Sequence, residues 1–142
     1  MSQLSYSDDF IRSILTDTKT IAVVGASPRT LRPSYGVSQF LIRQGYEVYP
    51  INPGEPDETI EGRAFLPSLA DVPVAIDMVD VFRRSEAVGG VVDEILKLQP
   101  LPKVIWMQLG VRDDEAAARA EAAGIKVVMD RCPKIEWPRL LG

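Results

Sequence analysis

The chain of 142 residues contains no histidine, an absence that removes serine–histidine triads, histidine-bearing zinc sites and phosphohistidine intermediates. Cysteine is almost as scarce. The lone Cys132 excludes an internal disulfide and a zinc site built on paired cysteines, and a reducing cytoplasm is the expected location. Long apolar runs are also missing: Ile21 to Ala26 and Val72 to Ile76 fall far short of the roughly 18 residues a spanning helix needs, so no membrane is expected as a partner. The stretch from Met1 to Phe10 carries Asp8 and Asp9 and no basic residue, unlike a secretory leader. Basic residues, 16 against 20 acidic, leave a formal charge of −4, which does not suit a surface that neutralises many phosphates of a nucleic acid. A single small anion could still be held by local charge.

What is present is ordinary for a folded protein. Hydrophobic residues make up 46% and charged residues 25%, so disordered, collagen-like and coiled-coil classes fit poorly. At about 150 residues per domain, the length predicts one domain over residues 1–142. Short β-rich runs alternate with helical patterns. Ser7 is a plausible N-cap for a helix whose Phe10, Ile11, Ile14 and Leu15 share a face, and Thr20 to Val24 reads as a buried strand ending at Gly25. Val37, Phe40 and Leu41 restore helical spacing before Gly45, which sits where a left-handed C-cap is needed, and Tyr46 to Ile51 is the second strand. Asn52 to Asp71 is irregular, with Arg63 to Leu66 as a short strand and Pro67 starting one helical turn. Val74 to Phe82 is the third main strand. The following helix buries Ala87, Val88, Val91, Val92, Ile95 and Leu96, and its Gly89 and Gly90 suggest close packing against the sheet. Lys103 to Leu109 is a strand, Asp113 to Ala123 a helix, Ile125 to Met129 a strand, and the Pro-broken tail a short terminal element.

Strands apolar on both faces, separated by helices, call for a parallel sheet covered on each side. The expected fold is α/β: a Rossmann-like, doubly wound, mainly parallel five-stranded sheet with helices on both faces. Ligands of such sheets bind at the carboxyl ends of the strands, here the loops beginning at Gly25, Asn52, Phe82, Gln108 and Asp130. In the first of these, Gly25 allows a sharp turn, Ser27 offers a hydroxyl, and the helix starting near Ser34 to Gly36 presents unpaired N–H groups to a phosphate. Any strand-to-helix turn also favours a glycine, and only the first glycine of the dinucleotide fingerprint is present. A nicotinamide site further expects an acid at the end of the second strand to hold the ribose. Val48 to Pro53 supply none, which disfavours hydride transfer.

Six strings in order, IAVVGASP (Ile21 to Pro28), PSYG (Pro33 to Gly36), GYEVYPINP (Gly45 to Pro53), DMVDVFR (Asp77 to Arg83), WMQLG (Trp106 to Gly110) and DRC (Asp130 to Cys132), resemble the small single-domain CoA-binding proteins. Their fold is similar to the N-terminal domain of the succinyl-CoA synthetase alpha subunit. The resemblance implies that Gly25, Ala26, Ser27 and Pro28, with Ser34, Tyr35 and Gly36, receive the pyrophosphate of CoA or an acyl-CoA. It implies that Asn52 and Pro53 border the adenine and ribose, while Val81, Phe82 and Arg83, and Met107 to Gly110 with Gln108, flank the nucleotide and the pantetheine arm. The synthetase domain carries a lysine shortly after its second strand, where this chain has Gly54 and Glu55. Arg29, Arg32, Arg83 and Arg84, all in loops at the same edge, are candidates to replace that charge, Arg32 and Arg83 foremost.

Cys132, at the same edge, reads either as a small buried hydrophobe or as a redox contact able to form a mixed disulfide with a bound thiol. Asp77 and Asp80 do not make an acid pair, since residues three apart on a strand face opposite sides. No catalytic or metal-ligating residue is assigned. The expected function is CoA or acyl-CoA binding without chemistry, as a carrier. The alternatives are a small acyl-transfer or nucleotide-dependent enzyme using Cys132, and a subunit supplying a CoA site to a partner. The expected partner is a small-molecule CoA ligand, with no nucleic acid. A homo-oligomer or a partner protein stays open.

Overall fold

Ser7 caps the first helix, its hydroxyl oxygen accepting from the Phe10 N–H at 3.1 Å, and α1 (Asp8–Asp17) turns Ile11, Ile14 and Leu15 inward. Each such buried side chain stabilises by about 1.5 to 3 kcal/mol. The structure, a computed structural model, describes residues 4–142, so the first three residues of the acidic leading stretch lie outside the described residues. All five residues of β1 (Thr20–Val24) are buried, as a central strand of a parallel sheet requires. Helix α2 (Pro33–Arg43), with Pro33 in its first turn, returns the chain to β2 (Glu47–Ile51) beside β1.

After β2 the chain makes a small antiparallel hairpin of β3 (Thr59–Ile60) and β4 (Arg63–Ala64), crosses back over β1 and enters β5 (Met78–Val81) on its other side. Helix α3 (Val88–Ile95) then leads to β6 (Val104–Met107), α4 (Asp114–Ala122) to β7 (Lys126–Val128), and α5 (Pro133–Leu140) closes the chain. The sheet order is β2-β1-β5-β6-β7, every pair parallel. Alternation along the strands divides the core in two. Ile21, Val23, Met78 and Trp106 face α1, α2 and α5, whereas Ala22, Val79, Val81 and Ile105 face α3 and α4. The α/β doubly wound expectation therefore holds.

Three local expectations are corrected. The third main strand is Met78–Val81, not Val74 to Phe82. Its neighbours begin pairing only at Ile21 and Val104, so the apolar residues before Asp77 have no ladder to join, and Val74 is 44% exposed. The short strand expected over Arg63 to Leu66 is only β4, and its antiparallel partner β3 was not expected at all. The connecting Glu61 and Gly62 both have positive φ, 49° and 82°, as two-residue hairpin turns demand.

The third correction concerns Gly89 and Gly90, which are not explained by packing against the sheet. A Cβ on Gly89 would lie 3.6 Å from Arg119 Nη2, an ordinary contact, and one on Gly90 would meet nothing within 4 Å. Nothing in the structure explains Gly90. Gly90→Ala is therefore expected to raise the unfolding free energy by about 0.5 to 1 kcal/mol, measured by urea denaturation.

Candidate functional site

The winding reverses between β1 and β5, and in open α/β sheets the crevice at that point is where ligands bind. Gly25 leaves β1 with φ +82°, and a Cβ there would stand 2.3 Å from the Phe82 carbonyl oxygen and 3.0 Å from Arg83 Cδ. Only glycine lets the two loops approach this closely.

Side chains then lock the surrounding loops. Ser34, buried in the first turn of α2, accepts from the Ser27 N–H at 3.0 Å, and the Ser27 hydroxyl oxygen accepts from the Arg29 N–H at 3.2 Å. Asn52, just past β2, donates through Nδ2 to the Ala26 carbonyl at 2.8 Å and accepts at Oδ1 from the Gly54 N–H at 2.9 Å. The residue that stands where a ribose-binding acid would be thus braces two loops, through one donor and one acceptor site of its amide.

Two clefts open on either side of this brace. One, of about 300 Å³, is lined by Gly25, Ser27, Arg29, Arg32, Asn52 and Glu55. The other, of about 340 Å³, has apolar walls from Val24, Ile51, Pro53, Pro67, Leu69 and Val91. Its polar lining is Asn52, Ser68, Arg83 and Glu94. A larger hollow of about 380 Å³ lies elsewhere, between Leu69 to Ile76 and the segment after α3, and holds none of the expected site residues.

The arginines divide into two groups by their partners. Arg12, Arg43, Arg63, Arg112, Arg119 and Arg139 each pair with a carboxylate, and Arg131 stacks on Tyr6 and donates to the Leu4 carbonyl. Among the described residues, Arg29, Arg32, Arg83 and Arg84 have no such partner. The four arginines singled out at the ligand edge are the ones left without a counter-ion, in a chain whose net charge is negative. Unpaired guanidinium groups beside free helix N–H groups suit a multiply charged anion.

The remaining expected residues fall at differing depths. Pro28 is half-buried in the first loop, and Tyr35 and Gly36 sit in the first turn of α2, also half-buried. Pro53 is exposed at the second cleft. Val81 is wholly buried and meets the edge only through its backbone, its carbonyl accepting from the Gln108 N–H. Phe82 is half-buried against the α2 side of the core. Gln108 is 6% exposed with Oε1 unpartnered, and Gly110 donates to Asp130 Oδ1 at 2.7 Å, joining the loops after β6 and β7. Cys132 is 7% exposed, packed in the core on the α1, α2 and α5 side at the start of α5.

Several side chains of the region carried no clear mark in the sequence. Pro67, Ser68 and Leu69 reach the second cleft from an irregular segment, and Glu94 reaches it from α3. Lys134 at the start of α5 brings Nζ within 3.7 Å of where a Cβ on Gly36 would stand, over the first turn of α2. Asp80 is the largest omission. Its side chain is fully buried in β5 between Val23 and Trp106, with both carboxyl oxygens unpartnered among the described residues. Burial pushes its pKa well above the usual aspartate value.

Known proteins resemble the chain in both sequence and fold. Residues 19–138 match the model of a family described as CoA binding domain. The chain is 41% identical over 125 residues, 88% of its own length and 90% of the relative's, to the uncharacterized protein YneT of Bacillus subtilis. It is 32% identical over 136 residues to the alpha subunit of the ADP-forming acetate-CoA ligase I of Pyrococcus furiosus, spanning 29% of that protein. A solved hypothetical protein of Pyrococcus horikoshii superposes with a TM-score of 0.90 at 37% identity, covering 100% of both chains.

Proposed function

Because the chain belongs to the CoA binding domain family, we propose that it binds CoA or an acyl-CoA across the two clefts at the β1/β5 crevice, as a carrier without chemistry of its own. The observation that carries this reading is that Arg29, Arg32 and Arg83, which line the two clefts, have no carboxylate partner among the described residues. CoA brings a pyrophosphate and a separate 3′-phosphate, and Arg29, Arg32, Ser27 and the N–H groups opening α2 offer matching donors. Gly25 keeps the loops close together and Asn52 braces them, so the crevice is held in shape before any ligand enters. The pantetheine arm would run over Phe82 toward Gln108 and Gly110. The burial of Cys132 supports its reading as a packing residue rather than a nucleophile.

Titration calorimetry of the purified chain with CoA and with NAD tests the reading. CoA is expected to bind the more tightly, because Asn52, at the position where a nicotinamide-dinucleotide site carries its ribose-binding acid, is committed to bracing loops. Equal or reversed affinities would remove the reading. Within it, Arg83→Ala is expected to weaken CoA binding by about 1.5 to 3 kcal/mol while leaving the melting temperature unchanged, since the exposed side chain makes no hydrogen bond or ion pair among the described residues. The similarity to part of a ligase subunit favours a second reading, in which the chain lends a CoA site to a partner protein. Copurification of a second chain from the native source would support it.

A further inference from the structure

We propose that CoA binding is linked to the protonation of Asp80, so that the site takes up a proton with its ligand and holds CoA more tightly while this carboxyl is neutral, an inference that rests on the CoA reading above. Depth and register place the group. Asp80 precedes Phe82 by two residues and Arg83 by three, which at the rise of a strand sets its backbone about 7 to 10 Å beneath them. Its register partners Val23 and Trp106 likewise stand two residues short of Gly25 and Gln108. The carboxyl therefore lies under three of the ligand-edge loops at once. Alternation from Met78 turns it to the side of the sheet covered by α1, α2 and α5, beneath the helix whose first turn faces the phosphates in the CoA reading.

No partner at that depth offsets its charge. Both carboxyl oxygens are without a hydrogen bond among the described residues, as are Ser38 Oγ on α2 and Gln108 Oε1 at the end of β6. The buried residues of α1 are apolar, and those of α2 are Ser34, Val37, Ser38 and Leu41, none of them charged. Half-buried Tyr6, Tyr35 and Tyr46 join this side of the core, and the α5 segment adds buried Cys132 and Glu136, the latter paired with Arg139 at 3.0 Å. Cations without a carboxylate partner stand instead at the mouth. Arg29 and Arg32 line the first cleft, Arg83 passes Gly25, and Lys134 Nζ lies over Gly36 in the first turn of α2. In the free protein these cations and the positive end of α2 favour the ionised carboxyl, against the burial that opposes it. A multiply charged phosphate ligand cancels that field and adds negative charge of its own. One such charge about 10 Å away, poorly screened by solvent, moves the protonation equilibrium by about tenfold. By reciprocity, ionising Asp80 weakens CoA binding by the same factor.

Titration calorimetry of the full chain with CoA, from about pH 5 to about pH 9 in buffers of differing ionisation enthalpy, reads both the affinity and the protons exchanged. The titration of the ligand's own phosphate is common to the wild-type protein and Asp80→Asn and cancels in their difference. Relative to the variant, the wild-type protein is expected to take up as much as about one further proton on binding, and to lose about tenfold in affinity as pH rises through the titration of Asp80. Carbon NMR of the Asp80 carboxyl needs no variant, and its titration midpoint is expected to rise by about one pH unit when CoA saturates the protein. A midpoint that CoA leaves in place or lowers, or equal pH profiles of affinity for the two proteins, would overturn the proposal while leaving CoA binding intact. A wild-type protein that binds no CoA at any pH would instead overturn the CoA reading itself.

Discussion

Gly25→Ala is expected to lower the unfolding free energy by about 3 kcal/mol and to abolish CoA binding, the first from a strained backbone plus a forced overlap. The backbone conformation, φ +82°, costs a side-chain-bearing residue about 1 kcal/mol. The added Cβ would stand 2.3 Å from the Phe82 carbonyl oxygen, far inside contact distance, and overpacking of this kind costs about 1 to 3 kcal/mol. A backbone carbonyl cannot swing away as the end of a side chain can. Relief requires β1 and β5 to part at their carboxyl ends, which moves Arg83 and opens the crevice. Gly62→Ala separates the two contributions, because Gly62 has the same φ, +82°, and nothing within 4 Å of its Cβ position. It should cost only about 1 kcal/mol. Urea denaturation of both variants reads the difference, and equal losses would show that the approach of Phe82 does not constrain the site.

Asp80→Asn should make the protein more stable at neutral pH and remove a pH dependence that the wild-type protein carries. Asp80 is fully buried in β5 with no partner for either oxygen among the described residues, and burial raises its pKa well above 3.8. Between 3.8 and the raised folded value, the folded chain holds a proton that the unfolded chain has released. The stabilisation is therefore complete below the unfolded pKa and is lost as pH rises through this window, by at most about 1.4 kcal/mol per pH unit. Asparagine, of the same shape and without a charge to bury, loses none of it. Urea unfolding of both proteins across the pH range gives the difference curve. Contributions of the opposite sense, from Glu61 beside Gln39 and Asp114 beside Arg112, are common to both proteins and cancel. A variant that is less stable at every pH, with the wild-type slope retained, would mean that Asp80 titrates alike in the folded and unfolded chain and that its burial sets no pH dependence.

The strand and helix pattern was legible because most elements announce themselves locally. Ser7 and Asp113 cap helices through their own side chains, accepting from Phe10 and Ala116 N–H groups. The runs of β1 and β6 are apolar on both faces, which only a doubly covered sheet accommodates. Where the pattern failed, the cause was not local. Val74 and its neighbours look like strand and are not, because strand formation needs a partner at the right height, and the register of β1 and β6 begins later. The β3 hairpin carries no turn signal in the sequence, because Glu61 is an uncommon residue for its positive φ.

By itself the sequence determined which chemistry was closed, through its lack of histidine, and which loops would gather at one edge, through the order of strands and helices. It also contained the arginines, but not the fact that separates four of them from the rest, since a counter-ion such as Asp8 for Arg139 lies far away along the chain. Asn52 could be read as a missing acid, while its part in bracing Ala26 and Gly54 depends on two loops meeting in space. Glu94 and Ser68 belong to different segments that only the crossover from β2 to β5 brings to one cleft. Asp80 sits in an apolar string whose alternation fixes the face it points to, yet its burial and lack of a partner follow from what α2 and α5 cover. Periodicity and capping act over a few residues and are written in the chain. Charge pairing, close approach and the depth of a carboxyl group depend on which distant segments arrive beside them, and only the tertiary structure decides that.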